Sequence, residues 1–432
     1  MNLGVVRRAV ARHRYTKDRP VYERFLREAC AHADVWKAPQ REIAAWWERR
    51  QTAALEIEIP SPGTLSVSCP LERAALEIDG AEIVMPPFAR AVAASVPTGR
   101  FSISYRCAPA LGAWAREMLG HLGFGHLRPA FDGETPDIGA NALDPLLAKL
   151  RDTALLHQRC DPSDRDRLGA VVADAHHGRG VPALRIWTLP QRDGRPYRVA
   201  LSPRFDVDKA IVNMPLIHEI EERHGVRSTA YVRAMGIFYG DREIREYRAR
   251  LGPHEIALHG EFITTARSRF GDEWRAASGE KALLELRTGG EIAGVCMHGG
   301  ELTNNISGNT RAAIEEAGFR YETMWRNAYY LPLHLPDGDG VMRCLSIGQH
   351  WADLNVKPTP RFAEELCEAL AERFAHAGRE GGVFVPVFHP LYFDIMNYAR
   401  YPENALRLGA FIPRYIASVG RMRRNADYAK RP

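Results

Sequence analysis

From Tyr197 onward, short apolar runs alternate with helical patterns, and this alternation constrains the fold more than any other feature of the chain. Val199 to Leu201, Ser228 to Val232, Glu255 to Leu258, Ile292 to Met297 and Val383 to Phe388 read as buried strands. The segments Met214 to His224, Arg242 to Leu251, Gly279 to Leu286 and Asn309 to Ala317 read as helices between them. Strand and helix in strict turn predict parallel β structure in an α/β class, as a barrel or an open sheet. In such folds chemistry gathers at the carboxyl ends of the strands. Asp206, Asp208, His259, His298 and His389 all fall at or just beyond those ends.

The first of these places is the most demanding. Arg204-Phe205-Asp206-Val207-Asp208 follows an apolar approach, and two carboxylates spaced i, i+2 at a strand end are costly to bury unless something positive holds them. A metal ion meets that need. A catalytic site of the zinc type takes a few oxygen and nitrogen ligands and leaves positions open for water and substrate. Asp208, His259 and His298 supply three such ligands. Asp206, beside the ion and not needed as a ligand, suits a general base, because a carboxylate near a cation stays ionised at neutral pH. His389 is then the acid that protonates the leaving group. A ligating histidine needs an acceptor for its far nitrogen; Glu261, Glu280 and Glu301 are the candidates, and sequence does not separate them.

The order of these pieces resembles the polysaccharide deacetylase superfamily, the NodB-homology carbohydrate esterases. Phe205-Asp206-Val207-Asp208 is like that family's first motif, and Gly252-Pro253-His254-Glu255-Ile256-Ala257-Leu258-His259 is like its second. Ala317-Gly318-Phe319-Arg320-Tyr321 and Phe388-His389-Pro390 follow in the expected order, so the resemblance spans roughly residues 197 to 410. It implies a distorted (β/α) barrel, a divalent metal usually taken to be Zn2+, and hydrolysis of an acetyl group from a sugar in surface-polysaccharide metabolism. It also implies that Asp206 is the base and Asp208 a metal ligand. Two departures stand out. Ile263 occupies the position four residues after His259 where the family has a second histidine, and Cys296-Met297-His298 stands where it has an Arg-Pro pair. His298 is expected to replace the missing ligand. The rival expectation is a silent barrel that binds carbohydrate or scaffolds other enzymes.

Substrate-side expectations are His350 and Trp351, as groove residues or core, and the cluster Trp325, Arg326, Asn327, Tyr329 and Tyr330, as a saccharide surface or core and rim.

Ahead of the barrel, residues 1–53 read as helical, with apolar stripes at Val21, Tyr22, Phe25, Leu26 and Ala29 and at Ile43, Trp46 and Trp47. They look like the closing tail of a deacetylase domain. They are read as a truncated remnant, as a permuted closing element, or as an amphipathic helical pair stacked on the next unit. Residues 54–110 alternate in hydropathy between turn signals and predict a small antiparallel β unit. Residues 111–196 read as a helical and loop connection to the catalytic segment 197–432. Within it, Asp161 to Arg195 is expected to be exposed, and His176-His177 a solvated pair.

Composition narrows the class. The 58 Lys and Arg against 53 Asp and Glu give a net charge of +5, too small over 432 residues to predict nucleic-acid binding. Seven cysteines without C-x-x-C spacing predict reduced thiols and a cytoplasmic setting. No apolar run predicts a membrane span or a secretory signal, and no Gly-rich phosphate loop follows a strand, so no nucleotide cofactor is expected. Oligomeric state is left open.

Overall fold

The computed structural model describes residues 18–157, 161–236, 238–299, 306–324, 331–352 and 362–394. Nine strands form the sheet that carries the site: β1 Arg204–Val207, β2 Thr229–Val232, β3 Glu255–Gly260, β4 Gly294–Met297, β5 Tyr321–Glu322, β6 Leu333–Asp337, β7 Gly340–Ser346, β8 Trp351–Ala352 and β9 Pro386–Phe388. Their order is β6-β7-β5-β4-β3-β2-β1-β9-β8, parallel throughout except between β6 and β7.

The sheet curls. The Arg204 guanidinium on β1 donates from Nη1 to Thr323 Oγ1 just past β5 at 3.0 Å. Four strand steps separate those positions in the sheet order, which would be about 19 Å on a flat sheet. Side-chain alternation then divides the residues between two layers. Tyr231, Ala257, Cys296, Tyr321 and Leu345 point into one buried interior cluster. Phe205, Val207, Val232, Leu258, Val295 and Met297 belong to another, which they share with helix residues such as Ile217, Ile220 and Leu284. This is a distorted (β/α) barrel. The helix Glu273–Thr288 shows how locally its parts are specified. The Asp272 side chain accepts from Arg275 N–H at 2.8 Å, and Gly289 closes the far end in the left-handed conformation.

The N-terminal residues pack on this barrel. Strand Val35–Lys37 pairs in parallel with Val199–Leu201, which pairs with Val383–Phe384. Tyr22 packs edge-on against Phe205, Phe388 and Phe393 and donates to Glu221 at 2.6 Å. The helix Gln40–Thr52 has no side-chain cap of its own. Its first N–H groups are satisfied by the barrel interior instead: Gln40 N donates to Thr229 Oγ1 at 2.9 Å and Arg41 N to Glu255 Oε2 at 3.0 Å. A carboxylate at a helix N-terminus is also favoured by the helix dipole.

Several expectations are revised. Val199 to Leu201 and Val383 to Phe388 are not single site strands. Each apolar run is split, near Pro203 and Val385, into a lower strand and β1 or β9. The hairpin of β6 and β7 was not anticipated. Asp161 to Arg195 is not an exposed connection. It forms the helix Pro162–Gly178, capped by Asp161, and the strand Leu184–Ile186, which pairs with Leu76–Ile78 of the β unit. Its dense charges mask a buried stripe at Leu168, Val172 and His176. His176 is therefore no solvated residue: its Nε2 lies 2.7 Å from Nε2 of buried His126, while His177 is exposed and pairs with Asp79. The strands Glu56–Ser61, Thr64–Ser68, Phe88–Ala91 and Gly99–Phe101 form a four-stranded antiparallel sheet.

Gly294 on β4 is a steric requirement of the barrel interior, because a Cβ there would lie 2.0 Å from the Tyr321 ring. Gly294→Ala must displace that ring and the bond from its hydroxyl to Glu255 at 2.8 Å. The expected cost is about 3 kcal/mol by urea unfolding, and a loss under about 0.5 kcal/mol would refute this account of β4.

Candidate metal centre

Strand register assembles the site. Asp206 sits on the interior face of β1, and His259 ends the same face of β3 two residues beyond Ala257. Cys296 of β4 pairs with His259, and His298 follows two residues later. β9 pairs Phe388 with Phe205, so His389 comes next to Asp206. Asp208 lies one residue past the end of β1, where its N–H folds back to Asp206 O at 3.0 Å.

Two imidazoles converge on one carboxylate. His259 Nε2 is 3.1 Å and His298 Nε2 3.3 Å from the same Asp208 oxygen. Their other ring nitrogens are occupied: His259 Nδ1 lies 3.0 Å from Cys296 Sγ and His298 Nδ1 lies 2.9 Å from Glu261 Oε1. The ligand atoms of all three residues lie within 4.8 Å of one another, and in the tautomer that donates from Nδ1 each neutral ring would offer its Nε2 lone pair to a cation. That donor set fits a divalent cation of the zinc type. Of the two proposed acceptors among the described residues, Glu261 and Glu280, Glu261 reaches His298. Glu261 is itself clamped, by Arg233 Nη2 at 2.6 Å and by its own N–H on Glu280 Oε2 at 3.1 Å. Glu301 lies outside the described residues.

The electrostatics also suit a cation. Burial would raise the pKa of Asp208, but His298 and His259 hold it well below the usual carboxylate range. Burial opposes charge on His298, yet Asp208 and Glu261 outweigh it and its pKa is pushed up to about 9. Burial likewise works against Glu261, which His298 and Arg233 hold down at about 2. Glu280, by contrast, is pushed up to about 7 by burial.

Asp206 has a different partner. Arg204 grips it bidentately, Nε to Oδ1 at 2.7 Å and Nη2 to Oδ2 at 2.9 Å. Burial would raise the Asp206 pKa; Arg204 first, then His259 and His389, hold it below its ordinary value. Sequence reasoning gave Arg204 no role, although its period-two relation to Asp206 places both on one face of the strand. Cys296 and Arg233 were missed as well, and no sequence signal marks them.

The substrate-side residues divide. Trp351 is 8% exposed and packs on Phe388 at a centroid distance of 5.2 Å, so the sugar-stacking role is corrected to core packing. His350 is also buried, its Nδ1 accepting from Val385 N–H at 3.0 Å and its ring stacked on Phe384. Trp325, Arg326, Asn327, Tyr329 and Tyr330 lie outside the described residues. A third acid and histidine cluster, His218, Glu221 and His254, is buried away from this centre, and most of its polar atoms are bonded within the protein, His254 Nε2 excepted. His254 Nδ1 accepts from Ser228 N–H at 3.1 Å, and Glu221 accepts from Tyr22 and Ser228 at 2.6 and 2.7 Å.

No family model and no curated protein matches the chain. Among solved structures, a candidate polysaccharide deacetylase from Mycobacterium smegmatis is similar at 20% identity and a TM-score of 0.36, over 50% of this chain and 84% of that one. A candidate polysaccharide deacetylase involved in O-antigen biosynthesis from Bordetella bronchiseptica is similar at 16% identity and a TM-score of 0.30, over 45% and 73%. A polysaccharide deacetylase from Bacillus cereus is similar at 13% identity and a TM-score of 0.28, over 44% and 79%. Among the described residues no helix is long and apolar enough to cross a membrane.

A protonated His298 has consequences for ion binding. At pH 7, below its pKa of about 9, the cation-free site carries a proton that a metal must displace. Calorimetric titration with Co2+ at pH 7, in two buffers of different ionisation heat, should report release of about one proton per ion. Apparent affinity should rise about tenfold per pH unit up to about 9 and flatten above it. Binding without proton release would show that His298 is neutral in the cation-free site.

Proposed function

We propose that this chain is a divergent member of the polysaccharide deacetylase superfamily, a metal-dependent hydrolase that removes an acetyl group from an N- or O-acetylated sugar. Surface-polysaccharide metabolism is the setting that the sequence resemblance suggests. The observation that carries the reading is the convergence of His259 and His298 on Asp208, with a separately clamped carboxylate, Asp206, on the adjoining strand position. A barrel that only bound carbohydrate would have no need to split two neighbouring aspartates between a histidine cage and an arginine clamp.

Asp208, His259 and His298 would hold the ion, with Zn2+ the best match to one carboxylate and two imidazoles. When bound there, a divalent cation polarises the acetyl carbonyl and brings the pKa of an attacking water to roughly 7. The remaining work falls to the chain's own residues. Arg204 and His259 keep Asp206 ionised against its burial, so it can accept the proton of the attacking water. Arg204 also fixes both Asp206 oxygens, leaving the carboxylate no freedom to swing onto the ion. His389, half-buried beside Asp206, is placed to give a proton to the departing amine or alcohol. His298 takes the ligand role that Ile263 cannot, and Glu261 holds its ring.

Metal analysis of the purified protein, together with acetate release from N-acetylated and O-acetylated oligosaccharides, tests the reading. The wild type should hold one divalent ion per chain, and His298→Ala should lose it. Asp206→Asn should keep the ion and lower turnover about a thousandfold. A wild type without stoichiometric metal would overturn the ligand set, and an Asp206→Asn variant with full turnover would overturn the base.

A further inference from the structure

Behind Asp206 the barrel interior holds a chain of hydrogen bonds that the chemistry above does not use. Arg204 Nη1 donates to Thr323 Oγ1 at 3.0 Å, and Thr323 Oγ1 donates to the Tyr231 hydroxyl at 3.0 Å. The Tyr231 hydroxyl donates in turn to Gln40 Oε1. Along the row each hydroxyl accepts from one neighbour and donates to the next, so the polarity runs from the guanidinium to the amide. The guanidinium also lies 4.9 Å above the Tyr231 ring, a cation–π contact that sets its plane. Arg204, Thr323, Tyr231 and Gln40 are all buried. Gln40 opens the helix Gln40–Thr52, far ahead of the barrel in sequence, and its own N–H is bonded to Thr229 in the barrel interior.

We propose that Thr323, Tyr231 and Gln40 are positioning residues for Asp206, acting through Arg204, so that the segment ahead of the barrel helps set the geometry of the base. Among the described residues, Arg204 is the link between the row and the carboxylate. A planar fork that holds both carboxylate oxygens transmits small rotations directly, because neither bond can be kept if the plane turns. Nη1 also donates to the Thr323 carbonyl oxygen and, at 3.4 Å, to Gln349 Oε1, so removing one hydroxyl strands a buried donor or acceptor in the row and loosens the plane rather than releasing it. The outer ring nitrogens of His259 and His298 are held by Cys296 and Glu261 and not by the row, although Cys296 Sγ also lies 3.9 Å from Asp206 Oδ1.

The kinetic part of this inference rests on the deacetylase reading; the geometric part does not. Four full-length variants separate the two: Thr323→Val, Thr323→Ser, Tyr231→Phe and Gln40→Leu. Protein labelled with 15N-arginine gives an Arg204 Nε–H signal, assigned by its loss in Arg204→Lys. Solvent exchange of that proton should be slow in the wild type and in Thr323→Ser, which keeps the hydroxyl. In Thr323→Val, Tyr231→Phe and Gln40→Leu it should be about tenfold faster or more. Acetate release should fall about tenfold in kcat in the same three variants, with KM and bound metal unchanged, and Thr323→Ser should restore it. A wild type without acetate release would defeat the function, and the exchange rates would still decide the positioning. Unchanged exchange in Thr323→Val and Tyr231→Phe would overturn the proposal. So would a kinetic loss that Thr323→Ser does not rescue. Should Tyr231→Phe fail to fold, exchange in Thr323→Val against Thr323→Ser decides the positioning by itself.

Discussion

The ion pair between Arg204 and Asp206 is the interaction around which the barrel interior is arranged. Both groups are buried, and a buried pair of this kind adds little to stability because desolvation offsets the attraction. Breaking it would leave a bare charge inside the barrel, a cost of several kcal/mol. The pair is tolerable because the third nitrogen of Arg204, Nη1, is met by the hydroxyl and carbonyl oxygens of Thr323 and the face of the guanidinium by Tyr231. Its position makes it useful, since it separates the two aspartates of one short stretch. Asp206 is turned inward and clamped, while Asp208, one residue past the strand, is left to the histidines.

The same economy of partners explains why the N-terminal segment lies where it does. The helix Gln40–Thr52 begins without a cap, and an uncapped helix start inside a protein is unfavourable. Thr229 and Glu255 supply what is missing, and the helix in turn gives Glu255 one of the donors a buried carboxylate requires, Arg41 N, beside the Thr229 hydroxyl of β2, which accepts from Gln40 N and donates to Glu255. Tyr321 supplies another, which is possible only because Gly294 leaves room for its ring. Segments remote in sequence thus satisfy each other's polar groups, and the interior carries a continuous polar column below the site.

Much of the candidate site was legible because strand ends in α/β folds are predictable from the alternation of patterns. Asp206, Asp208, His259, His298 and His389 were all found that way, and the structure gathers them at one end of the sheet. The acceptor of a ligating histidine was narrowed to three glutamates, and among the described residues the bend after β3 brings Glu261 to His298. Trp351 was left open between groove and core because an aromatic after a turn looks the same in sequence whether its ring meets solvent or Phe388. The helix Pro162–Gly178 was hidden by its own charges: Lys149, Asp164, Arg165 and Glu380 neutralise one another only once the chain is folded. Cys296 is an ordinary core residue by pattern, and only strand register sets its sulfur beside His259.

The sequence by itself determined the class of fold and the chemical kinds of group at the strand ends, because both follow from local periodicity and from the cost of burying paired carboxylates. It also carried the expectation that His298 stands in for the histidine that the family resemblance places at position 263. What only the tertiary structure decided is which charged groups face each other. Curling brings β1 and β5 within hydrogen-bonding distance, so that Arg204 meets Thr323 and the aspartates acquire different environments. No periodicity encodes that closure; it depends on side-chain volumes such as the bare α-carbon of Gly294 against Tyr321, which are felt only when distant strands pack.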